Sequence, residues 1–113
     1  MNFDQPEGSI SAATIALLRN RDDAVQLLMV RRGARLNFAG GALAFPGGKV
    51  DAADEALATT YPDAPADAAY RLAVIRETIE EVGIAIGFSA SPPRETTLAM
   101  QLALQIGRAS CRE

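Results

Sequence analysis

Glu77, Glu80 and Glu81 stand within five residues of one another, and that crowding limits what the surrounding chain can become. At about 100° per helical residue, the three fall within an arc of roughly 100°. Leu72, Ile75, Ile79 and Val82 gather on nearly the opposite side, giving the same helix an apolar face to bury. The pattern predicts a helix anchored by one face and holding acid in water on the other. Carboxylates three and four residues apart repel one another by a few tenths of a kcal/mol per pair, so the cluster calls for a reason. A hard divalent cation such as magnesium supplies one, because it binds through carboxylate oxygens and keeps waters and substrate phosphates in its other positions. A solvated helix face with Arg76 as a local ion-pair partner is the plainer reading.

The chain of 113 residues is one domain's worth, and at 49% hydrophobic it has ample material for a core. Net charge is −3 and pI about 4.9. No cluster of Lys and Arg is interleaved with aromatics, so the footprint of a nucleic-acid polymer binder is absent. A single nucleotide or another phosphate ester remains open as a ligand. No apolar run approaches the roughly 20 residues that span a bilayer, and the polar, acidic start is unlike a signal peptide. The expected compartment is the cytoplasm, with no membrane partner. A single cysteine, Cys111, excludes an internal disulfide framework, and the absence of histidine argues against zinc. Any metal here is held by oxygen.

In chain order, residues 11–18 and 25–30 read as strands joined by a polar turn at residues 19–23, which predicts an antiparallel hairpin. Arg31, Arg32 and Arg35 follow at once, either a solvated strand end or a set of bidentate phosphate contacts. Residues 36–41 read as a loop and residues 42–45 as a short strand entering a Pro46-Gly47-Gly48 turn, where the glycines permit close backbone approach. Residues 51–69 turn to Ala, Asp and Pro and read as a surface insertion, in which Asp54 and Glu55 are ligands or loop solvation, with solvation favoured. Asp67 is placed to cap the acidic helix and Gly83 to end it. A short strand at residues 84–88, a linker at 89–93 and a helix over 94–104 with Leu98, Leu102 and Gln105 along one side complete the reading.

Taken together, Phe45-Pro46-Gly47-Gly48-Lys49 and the stretch from Arg76 to Ile84 resemble the Nudix hydrolase family. Its signature is G-x5-E-x7-R-E-U-x-E-E-x-G-U, with U bulky and aliphatic. Gly48 matches the first glycine, and Arg76, Glu77, Glu80, Glu81, Gly83 and Ile84 match the second half in order. Thr78 stands at a U position, and Asp54 stands where glutamate is expected. Between Asp54 and Arg76 lie 21 residues in place of seven, a lengthening that falls in the Asp/Ala/Pro segment. With Phe-Pro-Gly-Gly-Lys-Val-Asp and the upstream Leu-Leu-Met-Val-Arg-Arg, the lengthened box resembles a subgroup that includes acyl-coenzyme A diphosphatases.

The resemblance implies an α/β (α+β) fold, an αβα sandwich around a mixed sheet, spanning residues 10–104 after a flexible stretch over 1–9. It implies hydrolysis of the diphosphate in a small-molecule nucleoside diphosphate derivative, with Mg2+ or Mn2+ as cofactor. Carried over residue by residue, Glu77, Glu80, Glu81 and the Gly48 carbonyl hold the metal. Arg76 orients Glu77, which also acts on water, and Arg76, Glu77 and Glu80 form the catalytic set. Arg31 and Arg32 are the substrate contacts. The alternative is a family-like module that binds a nucleotide without cleaving it. Later strands expected after Gln105 do not follow. Residues 105–113 instead match the frame CAG ATC GGA AGA GCG TCG TGT AGG GAA, a sequencing adapter read as protein, so the expectation is a domain incomplete at its C-terminus with a non-native tail.

Overall fold

The computed structural model describes residues 6–31, 33 and 41–110, and for 105–110 the backbone alone. Among the described residues six short strands precede three helices, which agrees with the α/β class: β1 (Ala12–Thr14), β2 (Leu18–Arg21), β3 (Ala24–Leu27), β4 (Val30–Arg31), β5 (Leu43–Ala44), β6 (Gly47–Lys49), α1 (Ala52–Ala58), α2 (Ala68–Val82) and α3 (Arg94–Ser110). The described strands pair two by two, β1 with β6, β2 with β3 and β4 with β5, all antiparallel. No parallel pair of the implied mixed sheet occurs among the described residues.

The apolar run read as one strand over 11–18 is two. It changes partner midway: the Ile15 amide donates to the Pro46 carbonyl, while the Leu17 carbonyl accepts from Leu28. The same switch divides the run at 25–30, whose end, Val30, pairs with Ala44. The predicted hairpin forms, but its turn is only Asp22 and Asp23, and Arg19 to Arg21 belong to the strand. Both aspartates have positive φ, 52° and 61°, as a two-residue connection matched to strand twist requires. Aspartate tolerates that region better than most residues with a side chain.

Pro46 does end a strand, yet the glycines beyond it are strand rather than turn. Gly47 lies opposite Thr14 and Gly48 opposite Ala13. A Cβ on Gly47 would run into the Ala13 carbonyl oxygen and lie 2.7 Å from the Thr14 Cα, so only glycine lets β6 approach β1 this closely. The insertion is likewise more ordered than a loop, since its first part is α1. The predicted strand at 84–88 is absent, and α3 continues past Leu104 to Ser110 where no periodicity was read.

Helix α2 packs against β1, β6, α1 and α3, and it covers much of the acidic face expected in water as well as the apolar one. Glu77 and Glu80 are only 5% and 9% exposed, whereas Leu72, Ile75 and Val82 are only partly covered. Ala73, Val74 and Ile79 form the buried apolar part. Thr78, the departure from the bulky aliphatic pattern, is fully buried and donates its hydroxyl to the Val74 carbonyl at 2.6 Å. That bond back along the helix satisfies the group inside an apolar site. Gly83 ends α2 in the left-handed conformation (φ 69°), donating its amide to Ile79. Asp67 starts it, but its side chain accepts from Arg71 rather than capping the helix. No helix among the described residues is long and apolar enough to cross a membrane.

Candidate active site

The site is built around one guanidinium. Arg76 projects from α2 into a part-buried junction with β6 and the start of α1. There its Nε and Nη2 donate to the two carboxylate oxygens of Asp54 at 3.1 and 2.9 Å. Nη2 also donates to the Lys49 carbonyl at 3.0 Å and lies 3.3 Å from Asp51. Nη1 donates to Glu77 at 2.9 Å and to Glu80 at 3.4 Å. Four carboxylates thus share one cation. Fork-like pairing with Asp54 is what a planar guanidinium does best, and it holds Arg76 protonated more firmly than usual against the opposing effect of burial.

Asp54 belongs to this hub, which corrects its reading as loop solvation. It is 4% exposed, and besides taking Arg76 it accepts from the Asp51 amide at 2.8 Å, closing the first turn of α1. A carboxylate one methylene shorter than glutamate reaches Arg76 because α1 begins directly after β6 and carries Asp54 to the junction. Glu55 stays exposed, as solvation implies.

Gly48 matters here for its missing side chain. A Cβ at this position would stand 2.5 Å from the Glu77 carboxyl carbon and 2.6 and 2.8 Å from its oxygens. The Glu77 carboxylate therefore lies directly against the Gly48 backbone. Glu81, exposed as a whole residue, turns its carboxyl inward. It accepts from the Gly47 amide and shares a hydrogen bond with Glu77. Burial of that carboxyl, followed by the charge of Glu77, pushes it above the usual carboxylate range, more than the Gly47 amide lowers it.

These contacts bring Gly48, Arg76, Glu77, Glu80 and Glu81 together. Arg31 is not among them: it is exposed on β4 and donates to the Gly41 carbonyl at 3.2 Å. Arg32 and Arg35 lie outside the described residues. Among the described residues, no group of three or more His, Cys, Asp or Glu stands close enough together to hold a metal ion. The donor set is all oxygen and rich in carboxylates, the chemistry that suits a hard divalent cation. Two members of the site escaped sequence reasoning. Asp51 was hidden in a segment read as loop. Gln101, whose amide donates to the Glu80 carbonyl at 2.8 Å, carries no motif at all.

The family model described as the NUDIX domain matches residues 9–100. Among solved structures, the chain is similar to the crystal structure of a NUDIX hydrolase from Alicyclobacillus acidocaldarius. The two are 22% identical with a TM-score of 0.59, and the match covers 91% of this chain and 54% of that one. The likeness is one of fold, and the chain spans about half the length of that hydrolase. No curated protein matches.

Proposed function

The chain belongs to the NUDIX family, and from that premise we propose that it hydrolyses the diphosphate linkage of a nucleoside diphosphate joined to a second group. The observation that carries this reading is the Arg76 hub, which holds Glu80 and Glu77, the latter against Gly48, nearly buried where solvated surface carboxylates would stand free. Retaining that much buried negative charge is costly unless a ligand uses it.

In this reading Glu77, Glu80, Glu81 and the Gly48 carbonyl hold Mg2+ or Mn2+, which when bound polarises phosphoryl oxygens and lowers the pKa of the attacking water. Arg76 fixes Glu77 and Glu80 through hydrogen bonds from its Nη1. Glu77, pressed against Gly48, accepts the proton of the attacking water. Water adds to one phosphorus as the bridging oxygen leaves with the other, giving two phosphate monoesters. Arg31 and Arg32 contact the phosphates of the substrate. Coenzyme A or an acyl-coenzyme A is one substrate class to test, supported by the lengthened segment after Gly48 and the Phe45–Asp51 string.

The test is metal removal. With Mg2+ and a panel of nucleoside diphosphate derivatives that includes coenzyme A esters, cleavage of at least one member is expected, lost on chelation and restored by added Mg2+ or Mn2+. Cleavage that survives chelation defeats the metal assignment. Tight binding of a panel member that is never cleaved favours the nucleotide-binding module instead.

A further inference from the structure

We infer that Gln101, on α3, is a positioning residue for Glu80, acting through the backbone of α2; the inference rests on the role proposed for Glu80 above. A helix leaves its last four carbonyls without intrahelical partners. In α2 the Gly83 amide closes on Ile79, so Glu80 is the first residue whose carbonyl lies past that last bond. It is therefore a functional carboxylate carried on a turn that frays easily. The Gln101 side-chain amide covers this place, donating to the Glu80 carbonyl at 2.8 Å. Its oxygen lies 3.8 Å from where a Cβ on Gly83 would stand, so the amide spans the end of the helix.

The rest of α3 turns toward the same contact. Thr97, one turn earlier, is buried and satisfies its hydroxyl on the Arg94 carbonyl, and Met100, Gln101 and Leu104 are partly covered. Leu98 and Leu102 point outward, 48% and 59% exposed. The covered face of the helix thus joins Met100 and Leu104 with a threonine and a glutamine. Within that face the Gln101 amide is the polar contact, a clamp on the α2 terminus. Without the clamp, the last turn loosens and draws the Glu80 carboxylate off Arg76 Nη1, its 3.4 Å partner, and Glu81 off the Gly47 amide.

The experiment follows the side-chain carboxyl carbons of 13C-glutamate-labelled full chain during Mg2+ titration, in wild type, Gln101→Met, Glu80→Gln and the double variant. The Glu80 resonance is assigned by its absence from Glu80→Gln. In Gln101→Met the Glu80 resonance is expected to shift before any metal is added while that of Glu77 stays, and the apparent Mg2+ dissociation constant to rise about tenfold. That rise should vanish in the Glu80→Gln background, as coupling through Glu80 requires. Gln101→Lys keeps a donor over the same carbonyl and should return the Glu80 resonance to its wild-type position. An unmoved Glu80 resonance, or an equal loss of affinity with and without Glu80, overturns the inference. If wild type shows no Mg2+ response, the metal assignment fails by itself, and the metal-free Glu80 shift still decides the role of Gln101.

Discussion

Arg76→Ala is expected to lower the unfolding free energy by about 3–5 kcal/mol, the cost of breaking a buried ion-pair network by removing one partner. The side chain is 12% exposed, and those of Asp54, Glu77 and Glu80 are 6%, 7% and 6% exposed. Removing the guanidinium takes away the charge they share and leaves them crowded in a poorly solvated junction. A domain of this size has only about 5–15 kcal/mol to lose, so the variant should be partly unfolded at moderate temperature. Lysine should rescue little. One ammonium cannot take both oxygens of Asp54 in a fork while also reaching Glu77, Glu80 and the Lys49 carbonyl. Urea unfolding of wild type, Arg76→Ala and Arg76→Lys measures this. A loss below about 1 kcal/mol, the range of an exposed pair, would mean that Arg76 does not hold the carboxylates.

Gly48→Ala and Gly47→Ala should fail in opposite ways although the glycines are neighbours. The atoms nearest an added methyl at Gly48 are the carboxyl end of Glu77, a side-chain tip rather than backbone, so the fold should survive with a melting temperature closer to wild type than that of Gly47→Ala. The carboxylate must move from its contact with Gly48, however, and a displacement near 1 Å in a catalytic group costs about 100-fold in rate. At Gly47 the methyl meets the backbone of Ala13 and Thr14, which cannot yield without parting β1 from β6. That variant should lose stability first. Melting curves and diphosphate hydrolysis, measured on both, separate the outcomes. Full activity in Gly48→Ala would mean that Glu77 need not lie against that backbone.

The local signals of the sequence read well where chemistry is local. Gly83 ended the acidic helix as its conformational freedom predicts, and the polar residues after Leu18 did mark a hairpin, its turn narrowed to Asp22 and Asp23. The Arg76–Ile84 string contains Glu77 and Glu80, which the fold gathers on Arg76. What stayed hidden depends on pairing between distant segments. Periodicity could not show that the run at 11–18 is shared between β6 and β3, because both partners accept the same alternation. Nor could it show which face of α2 is buried: an acidic face reads as solvated unless Asp54, 22 positions upstream of Arg76, is known to bring α1 over it. Gln101 was illegible for the same reason, as a lone glutamine gains meaning only from the helix end it covers.

The proposal that these carboxylates perform metal-dependent diphosphate hydrolysis stands most directly on Glu80. Its rate test is turnover of the best cleaved panel member by wild type and Glu80→Gln at saturating Mg2+, with folding verified by melting. Replacing the carboxylate by an amide keeps size and hydrogen bonding but removes the charge that holds the cation. The expected result is a fall of about 100- to 1,000-fold in kcat. Turnover within twofold of wild type would contradict the assignment of Glu80, and with it the reading of the acidic helix as a metal-holding site.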